Sequence, residues 1–408
     1  MASAPADPVP HDEVDGTTAR WRRWLIMFIL LTGGIKTTLA FTTVVPVLQL
    51  ISNEYKTSAD SVLSAQFVLT MAPMGMVLAG LISGRIVEWG GLRRTLCIAL
   101  ALTAVTGLAQ LVIVQFPLLL LDRFLVGFSA VTGDVAMTAI LAEKFAGAAR
   151  SRMIGIRQGI SSTGTVTTML AGGWLAQHYG WRAPSWMFVF PALMLPLCLI
   201  AFDRPIVLVR QAVARERFGI SQLWPLLVLA LFLSVAHTMP WFQMPFLLHG
   251  LGVNDTVLVS RVPALSSFVS ILAAMAFGYI YAASGRFTLV AATLCMATGF
   301  IGISLAPGYS VILMFVVVEG MGAGLIMPYF QARILDRITP ALRGRAIGYL
   351  VSAQFLGHFV NPIVTAPLRR WAGLGQTFLL VGVMMLALAI GLAIAARATR
   401  DRYAAAQE

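Results

Sequence analysis

Lys36, Asp134, Arg157, His237, Glu319 and His358 each stand in a stretch whose neighbours are almost all apolar. A charge at the centre of a bilayer costs about 2.5–3.5 kcal/mol on insertion scales, so a titratable group there either carries something or satisfies another buried group. Lys36 lies about twelve residues into its run, roughly 18 Å along a helix, which is near the midplane and too deep for the ammonium to reach the surface. Thr32, Gly33, Gly34, Thr37 and Thr38 make its surroundings polar or closely packed. Two roles fit: a cavity-facing group for substrate or coupling, or one half of a structural ion pair.

Arg157 and Gln158 open another run, where Arg157 either reaches a cavity and binds an anion or belongs to the basic surface. Glu319, deep within Val316 to Gly324, is the best placed carboxylate to carry a proton, the other role being that of a hydrogen-bonded structural acid. His358 has Gln354 and Asn361 at i−4 and i+3, which puts one polar stripe on an otherwise apolar helix. That stripe suits either a titrating site or helix packing. His237 and Gln243 sit among Pro240 and Pro245, the pattern of a kinked helix lining a pathway.

The elements that position these residues follow from composition. With 58% hydrophobic and 11% charged residues over 408 positions, the chain is too apolar for a soluble enzyme and excludes a nucleic-acid binder despite its net charge of +12. Twelve apolar runs, at about 24–50, 62–84, 94–114, 117–142, 153–177, 184–202, 223–248, 256–283, 287–306, 309–332, 346–368 and 374–396, are too long for barrel strands and predict an all-α polytopic membrane protein. Of 29 Lys and Arg residues, 21 fall in the tails and the even-numbered connections, and only four in the odd-numbered ones. This asymmetry predicts both termini and the central connection in the cytoplasm, hence a multi-pass protein of the cytoplasmic membrane. The expected organisation is a tail (1–23), a six-helix bundle (24–202), an Arg-rich linker (203–222), a second six-helix bundle (223–396) and a tail (397–408). The first run has no leader-like cleavage pattern ahead of it and reads as a retained helix. Cys97, Cys198 and Cys295 suggest neither a disulfide framework nor a metal site.

The two halves repeat. Gly84 and Gly91 recur as Gly278 and Gly285, Gly127 as Gly320, and Arg150-x-Arg152-x-x-Gly155 as Arg343-x-Arg345-x-x-Gly348, at offsets of 193 or 194 residues. The stretch Gly84-Arg85-Ile86-Val87-Glu88-Trp89-Gly90-Gly91-Leu92-Arg93-Arg94 and the segment Arg123-Phe124-Leu125-Val126-Gly127 together resemble signatures of the major facilitator superfamily, over nearly the whole chain. Glu88 takes the usual Asp position, while Trp89 and Leu92 replace residues that are basic in the family. Thr167 and Thr168 stand where exporters have Gly-Pro.

The resemblance implies twelve helices in two pseudo-symmetric six-helix bundles, a usually monomeric form, and a cavity lined by the first and fourth helices. In that frame Asp134 becomes the best partner for Lys36 and, with Glu319, a candidate carrier of the coupling proton, and Arg123 a coupling or gating residue unless it only anchors the interface beside Asp122. Gly84, Arg85, Glu88, Gly91, Arg93 and Arg94 are expected to form a charged latch, or else to set topology and meet lipid headgroups. No nucleotide loop, hydrolase motif or clustered His set appears. The expected function is secondary transport of a small anionic, carboxylate-bearing solute by alternating access with proton coupling, in the lipid bilayer and without cofactor or metal. Alternatives are proton-driven efflux of drugs or metabolites, and a receptor or scaffold on the same fold.

Overall fold

The computed structural model describes residues 20–55, 60–145, 147–202, 223–338 and 343–405. The expected linker 203–222 and residues 1–19 of the expected tail lie outside the described residues. Among the described residues there are helices and no strands. Twelve spans follow one another: α1 Arg20–Glu54, α2 Ser61–Gly90, α3 Leu92–Ala109, α4 Phe116–Lys144, α5 Gly147–Tyr179, α6 Ala183–Ala201, α7 Trp224–Gly250, α8 Thr256–Ser284, α9 Phe287–Leu305, α10 Tyr309–Leu335, α11 Arg343–Ala372 and α12 Leu374–Ala405. Eleven are long and apolar enough to cross a membrane. The twelfth, α5, carries Arg150, Arg152, Arg157 and a run of Ser, Thr and Gly that dilute its apolar character.

Several spans differ from the sequence expectation. The first is not one helix over 24–50. It starts at Arg20, breaks after Thr32 at Gly33-Gly34, resumes over Ile35–Thr42, passes through a 3-10 turn at Val45–Val47 and ends as Leu48–Glu54. The glycine pair lets side chains of α4 and α5 pack directly on the α1 backbone there, since a Cβ on Gly33 would meet the Met137 sulfur at 2.2 Å and one on Gly34 would meet Ser161 Oγ at 2.9 Å. Pro46 then removes an amide donor at the second break. The seventh span breaks at Thr238, two residues before Pro240, whose missing N–H and bulky ring end the first segment at His237.

The second span continues as a helix to Gly90, so Gly84, Arg85 and Glu88 ride on α2 rather than in a loop. The turn is confined to Gly91, whose φ of +73 only glycine adopts cheaply. The third span ends at Ala109 rather than 114. The last helix runs on to Ala405, into what was expected to be a tail.

The odd-numbered spans leave the face that bears the chain ends, and the even-numbered spans return to it. That face is called the terminal face below, and the other the opposite face. Buried apolar side chains gather into one cluster from Leu223 to Met385, another from Ile26 to Phe202, and a third over Leu39 to Phe188 that also takes in Phe242, Phe246 and Ala264. The third cluster is therefore where the N-terminal and C-terminal helices meet.

Candidate functional site

The break in α1 places Lys36 at the start of a short helix whose N-terminal carbonyl, Gly33 O, accepts a hydrogen bond from Lys36 Nζ at 3.2 Å. The same ammonium meets Asp134 Oδ1 on α4 at 3.2 Å. Arg157 on α5 also donates to Asp134 Oδ1 through Nη2 and reaches Thr138 Oγ1 through Nη1 at 2.7 Å. One carboxylate thus serves two cations. Gly133, next to Asp134, makes the room: a Cβ there would stand 2.8 Å from Lys36 Cε.

Lys36 is 0% exposed, whereas the Asp134 side chain keeps 33% of its surface open. The cluster therefore has a sealed cation and an approachable edge. Arg157 Nε is buried without a hydrogen-bond partner, a spare donor beside that edge. Gln158, next to Arg157, is exposed. The cluster carries one net positive charge, which suits an incoming monoanion.

A second constellation forms in the C-terminal half. Glu319 on α10 is 0% exposed and accepts a hydrogen bond from Ser266 Oγ on α8 at 2.7 Å. Its other oxygen, Oε1, has no hydrogen-bond partner and lies 3.9 Å from His237 Nδ1, which also has none. His237 sits at the break of α7, is 26% exposed and, with Ser234 and Gln354, lines a cavity of about 70 Å³. A larger, apolar cavity of about 440 Å³ among Ala297, Ile301, Phe315 and Leu386 has no charged residue in its lining.

His358 does not share a site with Gln354 and Asn361 in the way its spacing suggests. Its ring packs edge-on against Phe41 and Phe355, with both nitrogens lacking hydrogen-bond partners. Phe41 also meets Trp241, so α1, α7 and α11 contribute to one aromatic cluster between the halves. Asn361 is fully buried and donates to Val235 O at 2.7 Å, three residues before the break of α7. It braces backbone next to the break of α7.

Gln243 is likewise fully buried, accepting from Gln66 Nε2 at 3.0 Å and donating to Thr365 Oγ1 at 2.7 Å. It ties α2, α7 and α11 together. Arg123 is buried completely: it donates to Ala40 O, to Val68 O at 3.3 Å and to Gln110 Oε1 at 3.3 Å. Its guanidinium holds carbonyls of α1 and α2, a bracing position that an interfacial anchor would not occupy.

Of the expected latch, Arg85, Glu88 and Arg94 are exposed on the terminal face, and Arg93 is half-buried. Gly84 has nothing within 4 Å of where a Cβ would stand.

The structure adds residues that the sequence did not single out. At the opposite face Asp60 caps α2 by accepting from Leu63 N at 2.9 Å. The same side chain accepts from Arg369 at 2.7 Å and Arg370 at 3.1 Å on α11. Burial favours the neutral acid there, but the Leu63 amide and the two guanidiniums outweigh it and hold the Asp60 carboxyl below the usual carboxylate range. Nearby, Thr256 on α8 donates to Gly173 O on α5 at 2.8 Å and to Gln177 Oε1 at 3.1 Å. The Asp that precedes Ser61 and a hydrophobic run is an N-cap signal, and it was the one available clue to Asp60.

Residues 30–362 match the Major Facilitator Superfamily. The chain belongs to this family. Its members are membrane transporters, not enzymes, and a twelve-helix fold is theirs. Over 121 residues the chain is 30% identical to an uncharacterized MFS-type transporter, YuxJ, of Bacillus subtilis strain 168, which is 30% of this chain and 31% of that protein. Over 160 residues it is 30% identical to a multi-drug resistance efflux pump PmrA homolog of Lactococcus lactis, 37% and 38% of the two chains. The chain thus matches only about a third of the length of these curated relatives. In fold it is similar to the nucleoside transporter NupG (TM-score 0.70, 15% identity, 90% of this chain and 98% of that one). It is equally similar to a D-xylose-proton symporter (TM-score 0.70, 16% identity, 89% and 97%).

Proposed function

We propose that this major facilitator protein is a secondary transporter that moves a small monoanionic organic solute across the cytoplasmic membrane by alternating access, with protons as the coupling ion. The observation that carries this reading is the Lys36–Asp134–Arg157 cluster, in which two cations share one partly open carboxylate. A carboxylate arriving beside Lys36 and Arg157 would pair with the surplus cation and replace the water it gives up with charge-assisted hydrogen bonds. Glu319, buried and with one unpartnered oxygen, is the carboxyl best suited to carry a proton; Arg123 supports the α1 break that presents Lys36.

The polar ties of Asp60, Gln66, Gln243 and Thr256 join the halves at the opposite face. On the terminal face the repeated glycines Gly84, Gly155, Gly278 and Gly348 have open space around them. This contrast supports a state closed at the opposite face and looser at the terminal one, from which rocking of two six-helix bundles about the site would expose it to the other side. The excess of Lys and Arg on the terminal face supports its being cytoplasmic, with Arg85, Glu88, Gly91, Arg93 and Arg94 placed to latch it in the alternate state. The protein acts as a monomer in this scheme.

A second reading, efflux of amphipathic compounds, draws on the similarity to the PmrA homolog and on the Phe41, Trp241 and Phe355 cluster between the halves. Uptake into proteoliposomes of a panel of organic anions and lipophilic cations, with and without a pH gradient, decides between them. Anion flux stimulated by the gradient and lost in Lys36→Ala is expected. Flux confined to lipophilic cations would overturn the anion reading in favour of efflux.

A further inference from the structure

Deep in the spans the ionisable side chains divide unequally between the halves. In the N-terminal half Lys36, Arg157 and Asp134 leave one positive charge over, while the adjacent Asp122 and Arg123 cancel. In the C-terminal half Glu319 has, among the described residues, no cationic partner other than a histidine, His237. With the carboxylate ionised and the imidazole neutral, that pair is one negative charge. A buried net charge is costly unless paired, so each half has a reason to acquire one opposite charge before it moves.

We infer that the two halves are separate binding sites for opposite charges: one monoanion at Lys36 and Arg157, one proton at the Glu319–His237 pair, carried together in the same direction with no net charge moved. The inference rests on the anion reading above and adds the stoichiometry, the direction of coupling and the location of the proton.

The geometry of the proton site supports it. Glu319 Oε1 and His237 Nδ1 are both buried and both lack hydrogen-bond partners, at a separation of 3.9 Å that is too long for a direct bond. Ser266 occupies the other carboxyl oxygen, so a proton arriving at the pair has Oε1 or Nδ1 to bind. Either placement gives the pair zero net charge. The pair is also reachable: His237 lines the 70 Å³ cavity with Ser234 and Gln354, room for about two waters at roughly 30 Å³ each. Glu319 itself cannot retreat, because a Cβ on Gly299 of α9 would stand 2.6 Å from its Cβ.

The groups facing the pair are Ser266 from α8, Gly299 from α9 and, beyond His237 on the α11 side, the imidazole of His358. None of them is a permanent cation. His237 ends the first segment of α7, so bending at Thr238 would change its distance from Glu319, giving the proton a route out when the halves rock.

Same-direction coupling follows from the charge balance. An anion bound without the proton neutralises the N-terminal site but leaves Glu319 charged and unpaired. An exchange in which the proton leaves as the anion enters meets that penalty on each passage. Loaded with both, or empty with one positive and one negative site, the carrier holds no net buried charge, whereas each form that moves in an exchange holds one uncompensated charge.

The test uses the full-length protein in proteoliposomes, with lactate and benzoate as monoanions and succinate and citrate as multianions. Anion flux is followed by label and proton flux by a trapped pH dye, while potassium and valinomycin set the membrane potential. One proton is expected to accompany each monoanion in the same direction, with a rate indifferent to the potential. Glu319→Gln should keep anion exchange between loaded compartments and lose accumulation driven by a pH gradient, and His237→Gln should shift the pH at which that accumulation is lost. Potential-dependent flux, protons moving against the anion, or undiminished gradient-driven accumulation in Glu319→Gln would overturn the inference. Wild-type protein that exchanges none of the four anions would instead sink the anion reading. The proton site is then still tested by infrared titration of the purified protein, where a protonated-carboxyl band must vanish in Glu319→Gln and move in His237→Gln, and an unchanged band overturns it.

Discussion

Asp134 and Lys36 are unequal partners, and substitution should reveal it. Removing the carboxylate leaves Lys36 and Arg157 facing each other without compensation, whereas removing the ammonium leaves Asp134 its bond to Arg157. Stranding a buried charge typically costs about 3–5 kcal/mol, and the 33% exposure of the Asp134 side chain argues for the lower end of that range. Asp134→Asn should therefore lower the thermal unfolding midpoint clearly in scanning fluorimetry, while Lys36→Ala changes it little and loses anion transport. Equal losses of stability would mean that Lys36 is a structural ion with no further role. Asn361 offers a neutral comparison: Asn361→Leu removes one of two donors to Val235 O, Thr238 Oγ1 at 3.1 Å remaining, which should cost about 0.5–1.5 kcal/mol. Loss of binding without loss of stability in that variant would return Asn361 to the substrate site. Before the structure, Lys36 stood out by depth alone and Glu319 by its isolation. The meeting of Glu319 with His237 did not, because residues 82 positions apart on different helices share no periodicity that places them together.

Element by element, the spans were legible and their interruptions were not. Hydropathy depends on composition averaged over some 19 residues, so it finds a run such as 24–50 but averages across Gly33-Gly34 and Val45–Val47. The proline pattern did announce the bend in α7, since Pro240 cannot supply the amide an unbroken helix needs. Span ends were missed for a related reason: α2 and α12 extend past the apolar stretch as helices of mixed composition, to Gly90 and Ala405. At the other end of α2, Asp60 is both cap and bridge to α11. Because the closed contact lowers its carboxyl affinity for protons, the stabilisation is complete above about pH 4 and is lost only as pH falls through the lowered value. Asp60→Asn should thus cost about 1–2 kcal/mol by an amount that stays constant between about pH 5 and 8. A cost that changes across that window, measured by thermal unfolding of both proteins at each pH, would assign the contact's pH response to another group.

At the scale of the whole molecule, the sequence repeat already implied two related halves, but only coordinates say which end of the seam is tight. Gly173 marks the tight end: a Cβ there would meet Ser260 Oγ at 2.3 Å and the Thr256 carbonyl oxygen at 2.7 Å, so α5 and α8 touch through a residue with no side chain. Gly278, toward the terminal face of α8, meets nothing within 4 Å. If the halves rock as rigid bodies, wedging the first position must open the opposite face and draw the terminal face together, since backbone at Thr256 cannot yield as a flexible side chain would. Spin labels at Ile154 on α5 and Tyr279 on α8, both exposed toward the terminal face, report that distance. Gly173→Val should shorten it in double electron–electron resonance, and Gly278→Val, which disturbs no packing in this state, should leave the long distance populated. An unchanged distance in Gly173→Val would mean that the strain is absorbed locally between α5 and α8, and that the seam is not the fulcrum about which the two sets of helices turn.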